Sequence, residues 1–168
     1  MKWIVPLLWI GCAEEKLEAP DLNITETETC GGNAPVIESL TCENSGMQFD
    51  EDEGRDLPTI SFYVNISDED ADITSYDMLV EFDTSIDNAL DSDALRLGNI
   101  SGALGTEPCS VSRGDIGVTV FLNNGGGPPE LTTTYEWYVS VFDSAGDRSD
   151  PAMVVCTTPD EFGEGDTD

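Results

Sequence analysis

Four stretches of this chain alternate apolar and polar residues with a period of two, and that alternation limits the fold more than any other feature. From Pro58 to Ser67, Ile60, Phe62, Val64 and Ile66 fall on one side, with Ser61, Tyr63 and Asn65 on the other. Tyr76 to Asp83 sets Tyr76, Met78, Val80 and Phe82 against Asp77, Leu79, Glu81 and Asp83. Ile116 to Leu122 sets Ile116, Val118, Val120 and Leu122 against Gly117, Thr119 and Phe121. Tyr135 to Phe142 sets Tyr135, Trp137, Val139 and Val141 against Glu136, Tyr138, Ser140 and Phe142. A chain with this period buries one face of a strand and wets the other, as antiparallel sheets do. Val36–Cys42, Leu95–Ile100 and Met153–Thr157 are shorter candidates. Turn clusters separate them at Asp68–Asp72, Asn123–Pro129 and Asp143–Asp147, where Asp, Asn, Gly and Pro satisfy or preset the backbone. No useful 3.6-residue stripe is present, although Ile86–Leu97 has room for one helical turn. The expectation is an all-β fold, a sandwich of about seven short strands.

The chain carries 35 Asp+Glu against 6 Lys+Arg and no histidine, for a net charge of −29. Such a charge repels nucleic acid phosphates and anionic lipid surfaces. Without histidine there is no Ser-His or Cys-His nucleophile pair and no His ligand for zinc. Hydrophobic residues still make up 39% of the chain, so a core of ordinary size is available.

Met1-Lys2 precedes an apolar run, Trp3 to Gly11, far short of the ~20 residues that span a bilayer as a helix but of the length of a secretory h-region. Leu8-Trp9-Ile10-Gly11-Cys12 resembles the lipobox of bacterial lipoproteins. The resemblance implies removal of residues 1–11 and lipid on Cys12. A plain secretory signal, or a short buried strand with an incidental thiol, are the other readings of the segment. Ala13 after the Cys does not resemble the aspartate of inner-membrane retention, so the outer membrane is favoured. Residues 12–33 read as an acidic tether and 159–168 as a disordered acidic tail. Residues 34–158 remain as one domain.

Five cysteines are present: Cys12, Cys30, Cys42, Cys109 and Cys156. With lipid on Cys12, four remain, enough for two disulfides in an oxidising compartment. Tyr135-x-Trp137-x-Val139-x-Val141-x-Asp143-Ser-Ala-Gly146, followed by Ser149, resembles the last strand pair of fibronectin type III and related bacterial Ig-like domains. Ser67-Asp-Glu-Asp-Ala-Asp72 is similar to the second turn of the same group. The resemblance covers Pro35 to Thr158 and implies strands over 36–42, 58–67, 73–83, 95–100, 115–122, 135–142 and 153–157, running between two poles. That order brings Cys30 near Cys109 at one pole and Cys42 near Cys156 at the other. It therefore implies the pairs Cys30–Cys109 and Cys42–Cys156, since a disulfide needs Cα atoms within ~7 Å.

Under the same strand order, Asp68, Glu69, Asp70, Asp72, Asp143, Asp147 and Asp150 share one pole. Oxygen ligands from two adjacent loops suit Ca²⁺, which makes Asp68, Asp70, Asp72, Asp143 and Asp147 a candidate metal set. Solvated turns are the alternative, because Asp also makes turns. The acidic run Asp50 to Asp56 reads as a solvated loop. Arg113-Gly114-Asp115 matches a tripeptide displayed by integrin ligands, by chance. Asn23, Asn65 and Asn99 head glycosylation sequons that matter only in a eukaryotic secretory pathway. Tyr63, Tyr138, Phe121 and Phe142 point outward by alternation and either form a candidate protein- or carbohydrate-binding face or are covered by the tether, a loop or a neighbouring module. The sequence as a whole points to a non-catalytic envelope lipoprotein that binds or scaffolds an envelope protein or polysaccharide. A calcium-dependent adhesion module is the alternative, and a small hydrolase using two carboxylates stands further back. No other cofactor is implied.

Overall fold

A computed structural model describes residues 30–123, 127 and 129–160. Seven strands lie within that range: β1 Val36–Asp50, β2 Arg55–Ser67, β3 Ser75–Asp83, β4 Leu95–Ala103, β5 Arg113–Phe121, β6 Thr134–Phe142 and β7 Ala152–Thr157. They form a three-stranded sheet ordered β1-β2-β5 and a four-stranded sheet ordered β4-β3-β6-β7, with every strand pairing antiparallel. The fold is the expected all-β sandwich. The four alternating stretches are β2, β3, β5 and β6, and each turns its apolar side inward because that is the only way to remove those side chains from water.

Trp137 holds the two sheets together. Its ring centroid lies 5.6 Å from Phe62 on the opposite sheet, 5.3 Å from Phe82 and 5.7 Å from Tyr135. Its indole N–H donates to the Cys156 carbonyl at 3.3 Å, so the one polar atom of the ring is satisfied. Ile60, Val64, Ile66, Met78, Val80, Val139 and Val141 are buried around it. The flank where β1 meets β7 is closed by Cys42–Cys156, with Cα atoms 6.3 Å apart. Cys30–Cys109 closes one pole, at 5.2 Å. Both pairs are those implied by the strand order.

Three parts of the structure differ from the sequence reading. The first strand continues past Cys42 to Asp50 and pairs with β2 as far as Arg55, so the acidic run Asp50–Asp56 is solvated as expected, with residues 51–56 exposed, and forms the closed end of a hairpin. Asp50 Oδ1 accepts the N–H groups of Asp52 and Glu53 at 2.8 and 3.0 Å, and Gly54 takes the positive φ of +66° that the turn requires. The stretch Ile86–Leu97 contains turns, bends and the start of β4, without a helix. Tyr138 points away from the core as its alternation demands, yet it is only 5% exposed. Its hydroxyl donates to Glu136 Oε2 at 2.6 Å, and the Asn88 N–H donates to Glu136 Oε1 at 2.8 Å, so the β3–β4 connection covers that part of the sheet. Phe142 is half-buried, with the Arg148 guanidinium 5.7 Å above its ring, which leaves Tyr63 and Phe121 as the exposed members of the four.

Replacing Trp137 by Ala opens the centre of the core and is expected to cost about 3–5 kcal/mol, read as a lowered denaturation midpoint with an unchanged slope in urea.

Candidate cation site

β2 and β6 both run toward the pole where β3 begins, and each hands its chain to an Asp-rich turn. Asp68 follows the last residue of β2, and Asp143 follows the last of β6. Asp72 lies between them, two residues after Asp70 and immediately before the buried Ile73. Asp68, Asp72 and Asp143 converge, with one carboxylate oxygen of each lying within 4.8 Å of the others.

Local hydrogen bonds aim these oxygens. Asp68 Oδ1 accepts the Asp70 N–H at 2.7 Å, an Asx turn that directs Oδ2 inward. Asp143 Oδ1 accepts the N–H groups of Gly146 and Asp147 at 2.8 and 2.9 Å, a turn that Gly146 permits with φ +92°. The hydroxyl and the backbone N–H of Ser144 both donate to the Asp72 carbonyl, tying the two loops together. From the third side, Val111 forms a parallel bridge with Asp72 and donates its N–H to the Ala71 carbonyl at 2.9 Å. The Asp68 N–H donates to the Ser112 carbonyl at 2.9 Å.

What remains is an unbalanced polar core. Asp68 is 5% exposed, Asp72 1% and Asp143 6%. Asp68 Oδ2, Asp72 Oδ1 and Asp143 Oδ2 are buried and accept no hydrogen bond. Leaving a buried acceptor unmet costs about 1–3 kcal/mol, and more for a charged group. Burial pushes the Asp72 carboxyl up to about 6, with Asp143, Asp68 and Asp70 adding repulsion. Burial also raises the Asp143 carboxyl, against the N–H groups of its turn.

The five residues expected to act together are thus divided. Asp68, Asp72 and Asp143 meet, whereas Asp70 turns to Asn33, which donates its backbone N–H to Oδ2 at 2.7 Å and its side-chain amide to Oδ1 at 2.9 Å. Those bonds hold the Asp70 carboxyl below the usual carboxylate range. Asp147 contributes its N–H to the Asp143 turn and is absent from the trio. Ser144 and Asn33, which position these groups, carry no pattern in the sequence that marks them; only the Asp143-Ser144 adjacency at a strand end hints at a cap. Cys12 lies outside the described residues. Arg113-Gly114-Asp115 opens β5 and pairs with Asn65–Ser67 along the strand, with Asp115 accepting from the Asn65 amide at 2.7 Å. Among the described residues no helix is long and apolar enough to cross a membrane. No protein-family model matches the chain and no curated protein matches its sequence.

A carboxyl whose folded pKa is raised binds protons more tightly in the folded state than in the unfolded one. Its contribution to stability is therefore present below pH ~4 and is lost as the pH rises through about 6. In metal-free protein, Asp72→Asn is expected to raise Tm at pH 7 by about 3–5 °C and to flatten the decline between pH 4 and 6. Differential scanning calorimetry in EGTA checks both; a lowered Tm for this variant would show that the Asp72 charge is already compensated.

Proposed function

We propose that this chain is a non-catalytic binding or scaffolding module, held at the cell envelope by lipid on Cys12, whose Asp-rich pole closes around a single Ca²⁺. The observation that carries the reading is the trio of buried, unpaired oxygens on Asp68, Asp72 and Asp143. Hard oxygen donors of full negative charge are what Ca²⁺ takes, in a shell of six to eight. Three carboxylates supply about half of such a shell and more than offset the charge of the ion. The set holds no sulfur or nitrogen donor, which favours Ca²⁺ over softer metals.

Export is supported from a different direction. The four cysteines of the fold pair with one another, as an oxidising compartment allows, and Cys12 is then the thiol left for the lipid that its lipobox-like surroundings suggest. The display role rests on the same sequence segment and on the fibronectin-like order of the strands, and calcium-dependent adhesion is the form of it that the pole favours. Hydrolysis by a carboxylate pair is less well supported, because a substrate would have to reach acids that are at most 6% exposed.

Calcium titrated into EGTA-treated full-length protein is expected to bind with one equivalent and a Kd of roughly 10⁻⁵–10⁻³ M. It should also raise Tm by several degrees and reverse the slope of stability between pH 4 and 6, since Ca²⁺ and protons compete for the same oxygens. Asp143→Asn should abolish these responses. A wild-type protein that gives no binding heat and no change in Tm at 5 mM Ca²⁺ overturns the ion site. Separately, Cys12→Ala is expected to move the protein from the membrane to the soluble fraction; a variant that still sediments with membranes defeats the lipid anchor.

A further inference from the structure

The segment that leads into the sandwich is fastened to the cation loop at several points. Asn33 grips the Asp70 carboxylate with its backbone N–H and its side-chain amide, at 2.7 and 2.9 Å. The Asp70 N–H in turn donates to Asp68 Oδ1 at 2.7 Å, and the other oxygen of Asp68 is one of the three that converge on the proposed ion site. A continuous chain of contacts thus runs Asn33, Asp70, Asp68, ion site. On the other flank, Cys30 is bonded to Cys109, and the strand-like stretch just after Cys109 braces Ala71, Asp72 and Asp68 through Val111 and Ser112.

Local features indicate that this junction is held under load. Ala71 and Cys109 adopt left-handed φ values of +62° and +53°, a conformation that a Cβ disfavours. Such conformations persist only where surrounding contacts impose them. At Gly31 a side chain would collide with the Asp70 carboxylate, so the entering chain passes directly over it. The Asp147 carboxylate lies beside Gly32. Five acids therefore crowd the loops that the entering segment must hold: Asp68, Asp72 and Asp143 inward, Asp70 and Asp147 toward residues 31–33. The groups that bond to them include Asn33, neutral, the Gly32 backbone N–H and the backbone N–H groups of their own turns, and Arg113 lines the same groove as Asn33 and Asp68.

We propose that this junction is a calcium-controlled latch, in which Ca²⁺ in the Asp68–Asp72–Asp143 site and Asn33 on Asp70 bind the 68–72 loop cooperatively. With the ion bound, repulsion among the acids falls and the loop is fixed in the shape that presents Asp70 to Asn33. Without it, the loop loosens and residues 31–34 come away, Cys30 remaining attached through its disulfide. The connection between the sandwich and its N-terminal segment is then stiff at high calcium and loose at low calcium. This inference rests on the ion site proposed above. Coupling of this kind is reciprocal, so whatever weakens the Asn33 contact must weaken calcium binding.

The test uses the full-length chain, with Ca²⁺ affinity measured by titration calorimetry and the exchange rate of the Asn33 backbone amide measured by NMR, in 5 mM Ca²⁺ and in EGTA. Calcium is expected to slow exchange at Asn33 about tenfold or more, and Asn33→Ala is expected to weaken Ca²⁺ binding about three- to tenfold while leaving the disulfides and Trp137 environment unchanged. Asn33→Asp, which places a charge against Asp70, should weaken it further. Calcium that binds to the wild-type protein with no change in Asn33 exchange, or equal affinity in the wild type and both variants, overturns the latch and leaves the ion site standing. Absence of calcium binding to the wild-type protein overturns the ion site itself, and the latch with it.

Discussion

Three carboxylates cannot share a buried space less than 5 Å across without something to take up their charge. At separations within 4.8 Å, each ionised pair repels by about 3.5 kcal/mol or more at an effective dielectric near 20. That is a large fraction of the 5–15 kcal/mol by which a domain is stable. Two physical answers exist: the acids hold a proton, or they hold a cation. The raised carboxyls of Asp72 and Asp143 represent the first answer, and at neutral pH it is only partly available, because Asp72, pushed up to about 6, is mostly ionised at 7. The pole is therefore built against its own interest unless a positive ion completes it. The two turns, the Ser144 tie and the Val111 bridge make sense as the frame that keeps the three oxygens aimed at one point.

The frame rests on the sandwich. Asp68 and Asp143 can meet because β2 and β6, on opposite sheets, end at the same pole, and those sheets are pinned across the core by Trp137 and Phe62. The ends of the two strands are rigid to the extent that the core is. The proposed site therefore does without a loop of the EF-hand kind, with its own Gly and distal Glu: carboxylates that such a loop gathers within twelve residues are here brought together by tertiary structure from positions 75 residues apart in the sequence, Asp68 and Asp143.

Most of the architecture is legible in the residue order, because a period of two leaves a strand only one way to bury Ile60, Phe62, Val64 and Ile66 together. The pole was legible to the same depth: Asp68, Asp72 and Asp143 follow from where the strands end. The rest depended on contacts between distant parts of the chain. Asp70 has the same spacing and chemistry as its neighbours, and nothing local says that Asn33, 37 residues earlier, will occupy its carboxylate. Tyr138 alternates outward like Tyr63, and only the path of the β3–β4 connection decides that one is covered and the other exposed. The length of the β1–β2 hairpin is hidden by charge: a run of five acids in seven residues reads as a solvated loop, and it is solvated, but Asp50 caps a tight turn there with its own side chain.

The expected strength of the ion site bears on where the protein works. Three carboxylates with solvent completing the shell make a weaker site than one enclosed by seven or eight protein oxygens, and sites of dissociation constant near 10⁻⁴–10⁻³ M belong to modules that face extracellular calcium. At the concentrations to which cytosolic sensors respond, a site this weak would stand empty and its three acids would go on destabilising the fold. The disulfides impose a similar condition, since Cys30–Cys109 closes the same pole as the Asp68–Asp72–Asp143 trio and needs an oxidising surrounding to persist. A carboxylate trio that would be relieved by calcium and a staple that needs oxidation sit at one end of one sandwich, and the proposed export of the chain would satisfy both. The apolar run before Cys12 suggests that location independently, from chemistry that shares no residue with the pole.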